Sequence, residues 1–171
     1  MIIWTMLMEK DRIIKMFTDL YNGKPWLDVT ILGKLKGISA GKASAKVLPG
    51  WNSVWQIVNH LTNWRLEVLA RMQGQTTVSP ENNYFAPIGD KSEAAWKAAL
   101  IRLDQSQSQW IEFLKSFNEE EFAKIYPDNN FTYYEHIHGI LQHDAYHLGQ
   151  IALLVKEDAV DWELGTKREE F

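Results

Sequence analysis

Cysteine is missing altogether from the 171 residues. Its absence excludes disulfides, thiolate zinc sites, iron–sulfur clusters and a cysteine nucleophile, and it fits a reducing compartment. Positive charge is also short: 18 Lys and Arg stand against 22 Asp and Glu, for a net charge of -4 and a pI of about 5.7. Phosphate backbones are gripped by clustered Lys and Arg, so nucleic acid is not an expected partner. No run approaches the roughly 20 apolar residues of a membrane span. The opening MIIWTMLMEKDR has neither the basic start nor the small-residue cleavage site of a signal peptide. The expectation is a soluble cytoplasmic protein with no membrane partner. Period-two alternation is lacking too, so no sheet is expected.

What is present is globular. With 46% hydrophobic, 12% aromatic and 23% charged residues, the chain has the apolar content to offset ordering entropy, which disordered and fibrous chains do not. Its length suits one domain over residues 1–171. Charge is unevenly spread. No acid occurs between Asp28 and Glu67, where Lys34, Lys36, Lys42, Lys46 and Arg65 fall, whereas acids dominate after Asn118. Two solvated faces account for this most simply; an anion-attracting rim or a self-complementary dimer surface is the sharper alternative.

Four long helical patterns stand out. The first covers residues 8–21 through Ile13, Ile14, Phe17 and Leu20, and stops at Asn22-Gly23 before Pro25. Residues 29–35 add helical turns ahead of a Gly- and Ser-containing loop at 37–44. Asn52 or Ser53 caps the second long helix, whose stripe is Val54, Ile57, Val58, Leu61, Trp64, Val68 and Met72. After a polar loop containing Pro80 and Pro87, Asp90 and Glu93 form a capping box for the third helix, with Trp96, Leu100, Leu103, Trp110, Leu114 and Phe117 in its stripe. Thr132 and Glu135 form a second box for the fourth, which runs to about Lys156 through Ile137, Leu141, Leu148, Ile151 and Val155. Four amphipathic helices bury their apolar faces best on one another, so the expected fold is an all-α four-helix bundle with a polar tail at 157–171. Trp64, Trp96 and Trp110 read as core. Trp4, Trp26 and Trp162 lie outside the stripes, where a pocket mouth or a dimer seam would use them.

Histidine carries the chemistry. Of five, His60 lies on the second helix and His136, His138, His143 and His147 on the fourth. His143 and His147 are one turn apart and project from the same face, so they can chelate one ion. If the two helices are neighbours, His60 supplies a third nitrogen. Three neutral imidazoles suit zinc, nickel, copper or iron, with open positions for water or substrate. Spare polar groups lie alongside: Gln56, Asn63 and Glu67 near His60, and His136, Tyr146 and Gln150 near the pair. A ligand histidine needs a partner for its other ring nitrogen. His136 and His138, at the start of the helix, read as exposed residues or as such partners.

Asn59-His60-Leu61 with Trp64, and His143-Asp144-Ala145-Tyr146-His147-Leu148-Gly149-Gln150-Ile151, resemble the metal motifs of the DinB (YfiT-like) superfamily. Tyr21-Asn22-Gly23-Lys24-Pro25-Trp26 and Ser53-Val54-Trp55-Gln56-Ile57 extend the resemblance over nearly the whole chain. It implies a four-helix bundle with a zinc- or nickel-type ion on His60, His143 and His147, and a homodimer. Members of that superfamily include transferases that use bacillithiol, mycothiol or similar low-molecular-weight thiols on small molecules, and others described as metal-dependent hydrolases or damage-inducible proteins. The resemblance favours the transferase. A bound ion would lower the pKa of a thiol or a water, the thiol being brought in because the chain has no Cys. In the hydrolase version Glu67 or Tyr146 is the nearest candidate to shuttle a proton; in the transferase version the lysines from Lys34 to Lys46 would steer an anionic thiol.

Other readings use the same residues. His143-Asp144-Ala145-Tyr146-His147 resembles the zincin pattern with Asp for Glu, but Asp144 is a methylene short and turned about 100° from His143 around the helix; Glu163 would be the third ligand. The His143-Asp144 dyad resembles HD-type phosphohydrolases, with Asp158 or Asp161 as further ligands. A non-catalytic metal- or ligand-binding module, closed by Glu67 or His136 as a fourth ligand, is the reading outside enzymology.

Overall fold

The computed structural model describes residues 8–156. The tail at 157–171, with Asp158, Asp161, Trp162 and Glu163, and Trp4 near the start, lie outside the described residues. The fold is all-α. The helices are α1 (Glu9–Asn22), α2 (Ile31–Leu35), α3 (Ala40–Ser44), α4 (Val54–Met72), α5 (Glu93–Ser116) and α6 (Tyr133–Lys156), with a 3-10 turn at Glu119–Ala123. Among the described residues there is no strand, only an isolated bridge between Ile125 and Thr132. The long helices pack in a ring: α4 lies between α5 and α6, and α1 touches the same two from the other side.

The ends follow side-chain chemistry. Gly23 closes α1, its N–H reaching Thr18 O and Asp19 O; a Cβ there would stand 2.9 Å from Asp19 Cα, so glycine is the residue the close approach admits. Ser53 and Gln56 form a reciprocal capping box on α4, settling the choice between Asn52 and Ser53. Thr132 and Glu135 do the same for α6, with bonds of 2.7 and 3.1 Å. The Asp90–Glu93 box is corrected. Ser92 caps α5 by accepting from Ala95 N, and Asp90 accepts from Ser92 N in the preceding turn. Glu93 instead reaches across to accept from Ala40 N at 2.8 Å. There it helps to cap α3, a helix inside the segment 37–44 that periodicity assigned to a loop. Five residues are too few to display a period.

Two apolar clusters fill the interior. One joins α2 and α3 to the first half of α4, the first half of α5 and the end of α6, around Ile31, Leu61, Leu103 and Ile151. The other joins α1 to the later halves of α4 and α5 and the start of α6, around Ile13, Phe17, Trp110 and Ile137. Trp96 and Trp110 are core as expected, but Trp64 is only half-buried. Its ring packs against the second cluster while its indole N–H donates to Asn83 Oδ1 at 2.9 Å. Trp26 is almost wholly exposed.

Candidate metal centre

His60 comes from the middle of α4, and His143 and His147 from successive turns of α6. Because α4 and α6 are neighbours, the three meet between them. One ligand nitrogen from each lies within 4.8 Å of the others, and His60 Nε2 and His143 Nε2 are 2.8 Å apart. His60 and His147 are buried, while His143 retains 24% of its side-chain exposure. The sequence-derived triad is therefore brought together.

The ring nitrogens facing away are held by acceptors. Asn83 O lies 2.6 Å from His60 Nδ1, and Gln150 Oε1 lies 2.7 Å from His147 Nδ1. A carbonyl oxygen only accepts, so in both rings Nδ1 carries the proton and Nε2 presents a lone pair. Burial, reinforced by the neighbouring imidazoles, pushes both His60 and His147 down to about 4, keeping them neutral at ordinary pH. Neutral imidazoles with Nδ1 anchored and Nε2 converging form a donor set suited to a borderline transition metal. Among the described residues no carboxylate or fourth imidazole joins the group.

The loop between α4 and α5 sets up half of this geometry. Phe85 stacks on His60 with centroids 4.0 Å apart and rings 10° from parallel. Asn83 and Tyr84 both adopt left-handed backbone, with φ of 50° and 63°, a conformation uncommon for residues other than glycine. That turn aims Asn83 O at His60 and the Tyr84 hydroxyl at Glu67. The Gln56 amide donates to Phe85 O and Ala86 O, both at 3.2 Å. Glu67 is buried, and its carboxylate accepts from Arg71, Thr77, Ser79 and Tyr84. Burial alone would raise its pKa, but the bonds from Ser79 and Tyr84 and the Arg71 charge outweigh it and hold the carboxyl below its usual value. Glu67 thus pins the loop that carries Asn83. Tyr146, the other residue put forward for proton transfer, is exposed beside His147 with ring centroids 4.9 Å apart.

One cleft reaches the triad, and a second lies beside Gln150, the acceptor for His147. The first, of about 690 Å³, is walled by Trp64, Arg71, Phe131, His136, His138 and His143. The other, of about 440 Å³, includes Trp51, Tyr146, Gln150 and Leu153. His136 and His138 line the first cleft and stay out of the triad. The His136 ring is buried with Nε2 3.2 Å from Asn129 Oδ1, and the His138 ring lies 4.2 Å from that of Tyr134. Burial, then the Arg71 charge, lowers the His136 pKa.

Arg65 and Asp144 depart furthest from the sequence reading. Arg65, grouped there with the basic rim, is buried. Its Nε and Nη2 donate to Asp144 Oδ2 at 2.9 and 2.7 Å. Asp144 is 0% exposed, so the zincin-like and HD-like uses of it give way to an internal ion pair. Sequence reasoning also missed Asn83 and Tyr84, whose loop carries no periodic signal.

A family model described as the DinB superfamily matches residues 30–151. No curated protein and no solved structure matches the chain.

Proposed function

The chain belongs to the DinB superfamily, and from that membership and its converging imidazoles we propose that it is a metal-dependent enzyme acting on a small molecule, as a low-molecular-weight-thiol-dependent transferase. The observation that carries the reading is the meeting of His60, His143 and His147 within 4.8 Å beside a cleft that His143 itself lines. A zinc- or nickel-type ion bound there supplies Lewis acidity, bringing the pKa of a thiol or water toward neutrality.

The chain's own residues do the rest. Asn83 and Gln150 fix the tautomers of His60 and His147, and Phe85 keeps water from one face of His60. Glu67 holds the loop that carries Asn83, a positioning part that its four donors favour over proton transfer. Tyr146, exposed beside His147, is placed to exchange a proton with a substrate in the smaller cleft. The cleft at His143 and the one beside Tyr146 and Gln150 leave room for two molecules, a thiol and its electrophile. With Arg65 spent on Asp144, steering of an anionic thiol falls to Lys34, Lys36, Lys42 and Lys46. A cytoplasmic setting and a homodimer belong to the same reading; light scattering would find twice the 19.9 kDa chain mass.

A non-catalytic metal-binding module is the second reading. It calls for a site closed by a protein ligand, and the two residues offered for that place are engaged elsewhere, Glu67 by its four donors and His136 by Asn129. Elemental analysis of protein purified without a metal-affinity tag, alongside His60→Ala and His147→Ala, tests the centre. Near one equivalent of transition metal in the native protein, lost from both variants, is the expected result. No metal in any of them after incubation with zinc or nickel overturns it. Screening thiols with electrophilic acceptors then separates transferase from module.

No helix among the described residues is long and apolar enough to cross a membrane.

A further inference from the structure

Three neighbouring side chains each bury a polar atom without a hydrogen-bond partner: Arg65 Nη1, Asp144 Oδ1 and His143 Nδ1. A buried ion pair that leaves donors and acceptors unsatisfied is expensive, and replacing it with apolar residues is often neutral or stabilising. The arrangement is also lopsided. Arg65 places both of its bonds on Asp144 Oδ2, leaving Oδ1 free, 3.8 Å from His143 Nδ1.

The other two imidazoles explain the gap. Each has an acceptor at Nδ1, Asn83 O for His60 and Gln150 Oε1 for His147. His143 has Asp144 Oδ1 on that side, at a distance too long for a bond. His60 has spent its proton on Asn83, so the 2.8 Å contact between His60 Nε2 and His143 Nε2 requires the proton of neutral His143 to sit on Nε2. Its Nδ1 then presents a lone pair to a carboxylate oxygen, two acceptors face to face, and they stand apart. An ion held at His143 Nε2 leaves Nδ1 as the place for that proton, pointing at an oxygen that Arg65 has left open.

We propose that Asp144, held by Arg65, is the positioning residue for His143, accepting from Nδ1–H once Nε2 is given to the metal. This rests on the three-histidine centre proposed above and adds that one ligand is backed by a carboxylate where the others are backed by neutral oxygens. The carboxylate makes His143 the most electron-rich of the three donors and ties metal loading to a proton shift within one ring.

The test uses the full chain and zinc alone. Long-range proton–nitrogen correlation spectra of the imidazoles, taken before and after one equivalent of zinc, report where each ring proton lies. The expected result is a move from Nε2 to Nδ1 in His143, with His60 and His147 keeping Nδ1–H throughout. Zinc affinity, measured against a chromophoric chelator, is expected to fall about 10–100-fold in Asp144→Asn. Because that variant strands the Arg65 charge in the interior, Arg65→Gln with Asp144→Asn is made beside it, removing both charges while the amides can still pair. The same loss with the helical circular dichroism of the native protein supports the proposal. Unchanged zinc affinity in the folded double variant overturns it, as does a zinc-loaded His143 without a proton on Nδ1, a spectrum that needs no variant to fold. Native protein that takes up no zinc overturns the metal centre itself, which is a different failure from native protein that binds zinc without regard to Asp144.

Discussion

The seam between α4 and α6 and the seam between α1 and α5 lie on opposite sides of one small protein and differ in the polar groups they bury. Between α1 and α5 the contacts are chiefly apolar, with Phe17 edge-on to Trp110 at 5.6 Å and Leu114 and Ile13 fully buried. Between α4 and α6 the buried groups include His60, Arg65, Asp144 and His147, each of which loses hydration on folding and recovers it only through specific partners. Both seams bury apolar side chains, and the one between α4 and α6 also holds imidazoles and charges where water would otherwise solvate them. The histidine cluster and the Phe17–Trp110 packing thus lie on different helix pairs, and substitutions should separate their effects.

The largest effect is expected in the apolar seam. Trp110→Ala should lower unfolding free energy by about 3–5 kcal/mol, the usual cost of removing a buried large aromatic, while the folded fraction keeps its metal stoichiometry. Urea titration with elemental analysis checks both halves; loss of metal from protein that is still folded would show that the seams are not separable.

Acid should act on the other seam. His60 and His147 titrate at about 4 in the folded protein but near 6.5 when unfolded, so the unfolded chain takes up protons first. Stability of the metal-free protein is therefore full above about pH 6.5 and is lost as pH falls toward 4, on the order of 2 kcal/mol per imidazole after solvent screening. Denaturation midpoints across that range should slope in the native protein and flatten in His60→Ala and His147→Ala.

Glu67→Gln should cost about 1–2 kcal/mol, since it weakens the bonds from Arg71, Ser79 and Tyr84 while leaving donors in place. Its more telling consequence is faster amide hydrogen exchange in the loop at 73–92, with weaker zinc binding as the Asn83 carbonyl loses its support. Tyr146→Phe is the mildest. The side chain is 64% exposed, so stability should move by less than about 0.5 kcal/mol and zinc binding not at all. Thiol transfer, once a substrate pair is found, should fall by roughly 10²–10⁴ if the hydroxyl handles a proton.

How much of this could be read in the sequence depends on distance along the chain. The apolar stripes, the Thr132–Glu135 box and the His143/His147 pair are local patterns, set by the 3.6-residue turn, and they are found where the spacing puts them. His60 needed only the further condition that α4 and α6 be neighbours. Arg65 and Asp144 are 79 residues apart, and no spacing rule links them, so Arg65 read as one more surface base. Trp64 packs against the core as its stripe has it but stays half-buried, its indole N–H on Asn83, a partner no spacing rule supplies. Asn83 and Tyr84 are invisible for another reason: left-handed backbone at residues other than glycine is imposed by the partners the loop meets, here Glu67, His60 and Trp64.

The acceptor behind His60 is a peptide carbonyl and not a side chain. Any residue at 83 brings that oxygen with it, so point substitution cannot delete the contact; only a change in the path of the loop can. The outer surface of the loop can therefore vary in sequence while the orientation of the His60 imidazole stays the same.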